Sequence, residues 1–297
     1  MTTLGAQPVA RGGVLTVLML VIVGGAVWFS TLDRQQRRSE THAEARALAA
    51  MAAAYVDEYV HGLDRMAAAL VQNGAIVRLD RQQCERLLAD LLRDNVLIGD
   101  MVLNASDGAI EASGRPVPNQ GGSAPPPYVK QVVSSGRPVV SGLMITQVTR
   151  SPAIVLAYPV RRPGSVVSVL SFGIELLRLH TLFSSVPLPD GSIIALTDRV
   201  GLVLARSRDA DRYIGTTIEV PSPTEVGPPI IKDVDGVERV VASAAVGDRG
   251  WLMSVGIPTR VVDARLRRSW RCTALIGSTA VLGLVISLWW LRPSRSP

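Results

Sequence analysis

The chain has 297 residues, enough for one large or two modest domains. Hydrophobic residues make up 47% and charged residues 19%, with 31 Lys and Arg against 25 Asp and Glu for a formal charge of +6. This balance excludes intrinsic disorder, collagen and a disulfide-rich scaffold, and a mean hydropathy of +0.27 implies concentrated apolar blocks.

Residues 13–30 carry no charge in 18 positions, and residues 272–291 none in 20. A bilayer core takes about 20 apolar helical residues, so both segments are expected as transmembrane helices. Trp28, Trp289 and Trp290 sit where interfacial aromatics sit. Arg11 precedes the first block, as in a signal peptide. The block is long for such a segment, however, and a charged helical pattern follows it with no clear cleavage site. Two spans place tails 1–12 and 292–297 on one side and residues 31–271 on the other.

The tails hold Arg11, Arg292 and Arg295 and no acid, which leaves 28 basic and 25 acidic groups between the spans. The positive excess therefore lies largely in the tails and beside the spans, which argues against a nucleic-acid partner. Aromatics at 4% are too few for base-stacking platforms. Arg34, Arg37, Arg38, Arg265, Arg267, Arg268 and Arg271 flank the spans on the loop side. A loop this long translocates largely regardless of charge, so the arginines do not set the orientation. Cys84 and Cys272 imply no disulfide framework.

Residues 32–72 read as one long helix within a stalk at 31–80. Val56, Val60, Leu63, Ala67 and Leu70 recur at helical steps. The stripe is expected to pack on its own domain and, in part, to form a dimer seam. Residues 42–54 are Ala-rich and allow close helix approach. A second helix covers 80–94. Strands follow at 96–103 and 109–112, joined by a turn with Asp107-Gly108. A helix at 128–134 ends at Gly136, and strands are expected at 139–148, 153–161 and 166–174, then a helix at 175–184. A second unit repeats the theme, with strands at 192–198, 202–207, 237–246 and 251–257. A helix at 259–271 runs into the second apolar block.

The stretches YVKQVVSSGRPVVS at 128–141 and IVLAYPV at 154–160 resemble the distal half of a double Cache sensor domain, a PAS-like periplasmic module. VPLPDGS at 186–192, LTDRVGLVLA at 196–205, YIG at 213–215, DGVER at 235–239 and GWLMSVGIP at 250–258 resemble its proximal half. The resemblance implies an α+β fold: two stacked PAS-like antiparallel-sheet units on a long N-terminal helix, flanked by two transmembrane helices. The membrane-distal unit is expected at 81–184 and the membrane-proximal unit at 185–258, with a juxtamembrane helix at 259–271. It also implies a bacterial inner-membrane sensor with both termini cytoplasmic and 31–271 extracytoplasmic. Such a sensor binds a small-molecule ligand as a homodimer. It feeds a kinase, a cyclase or a chemoreceptor rod, and the few residues after 291 assign that output to a separate cytoplasmic signalling protein or a truncated part of the chain.

The ligand pocket is expected on the distal sheet face beneath the helix that carries Tyr128. Tyr128, Lys130, Arg150 and Tyr158 are the candidate ligand-binding residues, with an arginine at the rim able to clamp a carboxylate. The alternative is that the tyrosines pack and Arg150 is a solvated turn residue. Amino-acid-sensing members carry an Arg-x-Trp-Tyr element here and a late Asp in the sheet. This chain has Pro125-Pro126-Pro127-Tyr128 and Gly173-Ile174-Glu175. The usual amino-acid geometry therefore does not carry over, and an organic acid is the substitute expectation.

No nucleophile elbow, phosphate loop or zinc-protease motif is present, so no catalytic residue, metal or cofactor is assigned. His42, His61 and His180 are scattered without partners at ligand spacing. Asp233-Val234-Asp235-Gly236 resembles a fragment of a calcium loop but lacks its remaining ligands, and reads as a strand turn. The rival function is an envelope protein-protein binding or scaffold module without a small ligand.

Overall fold

The structure, a computed structural model, describes residues 7–118, 125–163, 165–183, 186–223 and 229–261. Helix α1 (Gln7–Leu70) runs 64 residues without a proline after its first turn. Ala45, Ala49, Ala52, Ala53, Val56, Val60, Leu63, Ala67 and Leu70 are all buried. They fall on one helical face, and small side chains along it bring the sheets close. The block 13–30 falls within α1, but its side chains, Trp28 apart, lie outside the described residues, as does the whole of 272–291. Among the described residues no helix is long and apolar enough to cross a membrane.

A short α2 (Gly74–Arg78) and then α3 (Arg81–Asp94) follow. Asn73 and Asp80 cap them, their side chains accepting from the Ala75 and Gln83 amides. The distal sheet contains β1 (Ile98–Ala105), β2 (Ile110–Ser113), β3 (Val139–Val140), β4 (Met144–Ile145), β5 (Pro152–Arg162) and β6 (Ser165–Glu175). Its antiparallel order is β2-β1-β6-β5-β3, with β4 also on β5. Helix α4 (Pro127–Ser135) crosses one face and ends at Gly136, whose φ of 65° suits glycine. The chain leaves through α5 (Leu176–Leu179) and a 3-10 turn (His180–Phe183).

The proximal sheet contains β7 (Ile193–Thr197), β8 (Val203–Arg206), β9 (Ile230–Lys232), β10 (Glu238–Val246) and β11 (Trp251–Pro258), in the antiparallel order β8-β7-β11-β10-β9. The short α6 (Ala210–Tyr213) follows β8. The α+β class, the two antiparallel sheets and the long N-terminal helix match expectation.

Three details differ from it. The strand expected at 139–148 is two two-residue strands. The Ser141 hydroxyl takes the Val155 amide at 2.8 Å in place of a backbone carbonyl, and Gly142 follows, so the ladder breaks there. The helix expected at 175–184 is only α5 and the 3-10 turn. Of the helix expected at 259–271, residues 259–261 are helical and the rest lie outside the described residues.

The proximal sheet gives one face to α1, and the distal sheet gives one face to α2, α3 and α5, with the end of α1 at its β5 edge. In the distal sheet Leu156, Tyr158, Leu170, Phe172, Met101 and Leu103 join the main core with Cys84, Leu88 and Leu92 of α3, while Val155, Ala157 and Val169 pack under α4 with Tyr128, Val129 and Val132. In the proximal sheet Ile194, Leu196, Met253, Val255 and Ile257 face α1.

The opposite proximal face holds two buried arginines, Arg206 at 1% exposure and Arg239 at 2%. Arg206 Nη2 lies 2.8 Å from Asp233 Oδ2, and Arg239 Nη1 lies 3.0 Å from the same oxygen and 2.6 Å from Asp235 Oδ1. The Arg206 guanidinium also sits 4.7 Å from the Tyr213 ring centre. Any side chain at Gly256 would collide with Arg239. The hydrogen bond from Arg239 holds the Asp235 carboxyl at about 2, well below its usual 3.8. The Asp-Val-Asp-Gly turn thus supplies counter-charges for arginines. Removing one member of a buried pair strands a charge and costs about 3–5 kcal/mol. Asp233→Ala is therefore expected to lower the urea midpoint sharply, while Asp190→Ala, at an exposed pair, leaves it unchanged.

Candidate functional site

The distal sheet face beneath α4 holds a cavity of about 10 Å³, room for one water. Asp100 and Val102 of β1, Ile110 of β2, Tyr128 of α4, Met144 of β4, Val155 of β5 and Ser171 of β6 line it, with Thr146, Gln147 and Val148 from the segment between β4 and β5. The side-chain period of two explains the selection. Asp100 and Val102 alternate with Met101 and Leu103, which point into the main core on the α3 side. Ser171 alternates likewise with Leu170 and Phe172.

Asp100 is 5% exposed. Its carboxylate accepts hydrogen bonds from the Thr146 hydroxyl and the Gly173 amide. Thr146 in turn shares a 2.7 Å hydrogen bond with Thr149, so the two hydroxyls form a relay onto the carboxylate. A side chain at Gly173 would overlap Asp100 Oδ1, so the missing Cβ is what admits the carboxylate against β6. No Lys or Arg among the described residues lies within ion-pair distance of it. Burial raises its pKa from 3.8 to about 6. Glu175 adds to that rise, while Thr146, Gly173 and Arg115 oppose it.

Tyr128 spans the cavity from α4, its hydroxyl 3.5 Å from Asn104 Oδ1. Burial pushes the phenol up to about 12, against a hydrogen bond with Ser171. Ser171 itself donates to the Val102 carbonyl at 3.1 Å. Glu175 lies at the same end as Asp100, buried against Gly99, but it pairs with Arg178 at 2.6 Å.

The structure therefore brings one of the four sequence candidates, Tyr128, into this cavity. Lys130 is exposed on the outer side of α4. Arg150 is an exposed turn residue with a left-handed φ of 57°. Tyr158 faces the other way. Its phenol donates to Asp64 Oδ1 at 2.6 Å, and its ring lies 5.6 Å from that of Phe172. Sequence reading missed Asp100, Thr146 and Ser171. The available signal was a single charge inside the apolar run 98–103.

Tyr158 belongs to a second feature. A groove of about 540 Å³ runs between α1, β3, β5 and the β10–β11 turn. At its polar end Arg249 of that turn binds Asp57 Oδ1 at 3.1 Å and also binds Asp64. Asp64 thus accepts from the distal Tyr158 and the proximal Arg249 together. Burial raises the Tyr158 phenol, and the carboxylate of Asp64 raises it further, so it stays a donor. The two sheets meet on α1 through these three side chains.

No family model and no curated protein sequence matches the chain. Solved structures do. The ligand-binding domain of the Pseudomonas aeruginosa PAO1 amino acid chemoreceptor PctB, in complex with L-Arg, is similar with a TM-score of 0.61 at 15% identity, over 74% of this chain and 96% of that one. The ligand-binding domain of the Pseudomonas fluorescens chemoreceptor CtaA, in complex with L-isoleucine, gives 0.61 at 16%, over 78% and 98%. The extracellular domain assigned to a histidine kinase, rpHK1S-Z16, gives 0.60 at 14%, over 74% and 95%. At these identities the likeness is one of fold, and it agrees with the double Cache fold that the sequence resemblance implied.

The raised Asp100 pKa has a direct consequence for stability. The folded state prefers the protonated acid, so its contribution is complete below pH 3.8 and is lost as the pH rises through about 6. The cost of ionising it in place is on the order of 2–3 kcal/mol. Glu175, Arg115 and Tyr128 are the titratable groups around it. Asp100→Asn is expected to raise the melting temperature by roughly 4–8 °C at pH 8 and to leave it unchanged at pH 4, measured by thermal unfolding. A lower melting temperature at pH 8 would mean that the carboxylate is paired.

Proposed function

We propose that the chain is a membrane-anchored extracytoplasmic sensor of a small molecule, without catalytic activity of its own. The observation that carries this reading is the cavity under α4, where Asp100, Tyr128, Thr146 and Ser171 converge on one apolar patch. The fold shared with ligand-binding domains of chemoreceptors supports it.

In this reading the blocks 13–30 and 272–291 are the anchors, both termini are cytoplasmic, and the membrane is a bacterial inner membrane. A ligand larger than water has to lift α4 off β5 and β6. Strand β5 also carries Tyr158, so the shift reaches Asp64 and Arg249, then the β10–β11 hairpin, residues 259–271 and the second span. Such a signal exists only if the ligand prefers one of two states. The exposed face of α1, with Met51 and Tyr55, supports a homodimer seam. A separate cytoplasmic protein receives the signal. The second reading is a scaffold module that binds another envelope protein, favoured by the open 540 Å³ groove and the small size of the pocket.

The test is thermal unfolding of the full chain in detergent micelles against a broad metabolite library. At least one compound is expected to raise the melting temperature by several degrees, and Tyr128→Phe to weaken that effect. Arg249→Ala is expected to retain binding within about twofold. It should abolish the ligand-dependent change in amide hydrogen exchange over residues 238–258. No shift with any compound overturns the sensor reading in favour of the scaffold.

A further inference from the structure

We infer that the open groove between the two sheets is a second small-molecule site, and that it takes an organic cation with an apolar body, such as an arylalkylamine. The site is separate from the cavity under α4 and goes beyond the sensor reading above.

Room is the first argument. The groove offers about 540 Å³, within the roughly 300–1,000 Å³ of small-molecule sites, while the cavity under α4 holds one water. Ala67, Ala68 and Val71 of α1 line it, together with Val139 and Val140 of β3 and Leu156 of β5. The alanines leave space that larger side chains on α1 would fill.

Charge is the second argument. Asp64 and Asp248 lie in the lining with one guanidinium, Arg249. That guanidinium is fully engaged: Nη1 binds Asp57 at 3.1 Å and Nη2 binds Asp64. His61 lies 3.4 Å from Asp57 Oδ1 and adds a positive charge only when protonated. Asp248 is exposed and forms no ion pair among the described residues. Three carboxylates thus surround one arginine, and an anion entering the groove meets like charge with no free cation to receive it. An ammonium meets the open carboxylate of Asp248. It also finds free acceptor positions on Asp64, where Tyr158 and Arg249 take two of roughly four.

The turn that carries these charges is fitted to α1. A side chain at Gly247 would overlap Asp57 Oδ1, so the glycine, with φ 53°, is what lets the turn close on the helix and sets Asp248 at the groove. The ligand head would share Asp64 with Tyr158 and Arg249, the side chains at which the two sheets meet.

The test is isothermal titration of the full chain in phosphatidylcholine nanodiscs, with empty nanodiscs as the blank. The three probes have nearly one shape: 3-phenylpropylammonium, 3-phenylpropionate and 3-phenyl-1-propanol. The ammonium is expected to bind at least fivefold more tightly than either of the others. Asp248→Asn, at an exposed turn position, should cut that margin below twofold. Ala68→Phe, at an exposed helix position that lines the groove, should abolish binding of all three, and Tyr128→Phe should leave it unchanged. Far-UV circular dichroism shows that each variant is folded. Equal or tighter binding of the acid or the alcohol overturns the inference, as does a margin that survives Asp248→Asn or binding that survives Ala68→Phe. Binding that is lost in Tyr128→Phe places the probes under α4, which overturns the inference and supports the sensor reading. No binding by any probe overturns the inference alone, because the sensor reading rests on the other cavity.

Discussion

The constraint on which this molecule depends is the two-sidedness of its sheets, each with one face in a shared core that α1 and α3 line. The buried stripe from Ala45 to Leu70 belongs to α1, which packs on β10 and β11, while α3 packs on β1 and β2. Strand side chains alternate between faces, so a sheet that gives one face to this core has its other face free for something else. In the distal unit that other face becomes the cavity under α4. In the proximal unit it becomes the arginine–aspartate cluster. Tyr158 and Asp100 lie in one sheet yet serve different ends because they point to opposite sides of it.

The two units treat buried charge differently. Arg206 and Arg239 are matched by Asp233 and Asp235, and the set pins β9 and β10 to β8. Asp100 has hydrogen bonds but no contact ion pair among the described residues, with Arg115 acting on it from further off. A fold selected only for stability would place an Asn or an apolar residue there. A carboxylate held at such a cost is what the proposed ligand site would account for. The link of Tyr158, Asp64 and Arg249 joins the distal sheet to the β10–β11 turn of the proximal one.

Much of the fold was legible in the residues. The apolar stripe of α1, the Asp107-Gly108 hairpin and the Gly136 stop all obey local rules, and each formed as read. The break at Ser141 was not legible, because a serine that replaces a backbone carbonyl in the ladder looks like any other strand serine. The short α2, α6 and β9 also escaped, being too brief to show a period. Site residues were harder still. Tyr158 is one position out of phase with the pocket, and Lys130 and Arg150 drew attention by charge although their backbones turn them to solvent. Asp100 sat in an apolar run and was read as part of the strand. Arg206 and Arg239 find their partners only through strand pairing, which a linear pattern does not contain.

The central claim is that the pocket under α4 holds Asp100 as a buried carboxyl without a contact ion pair among the described residues. Titration of its carboxyl carbon by 13C NMR, in the full chain, tests this most directly. The account predicts a midpoint near pH 6. A midpoint below pH 4 would contradict it.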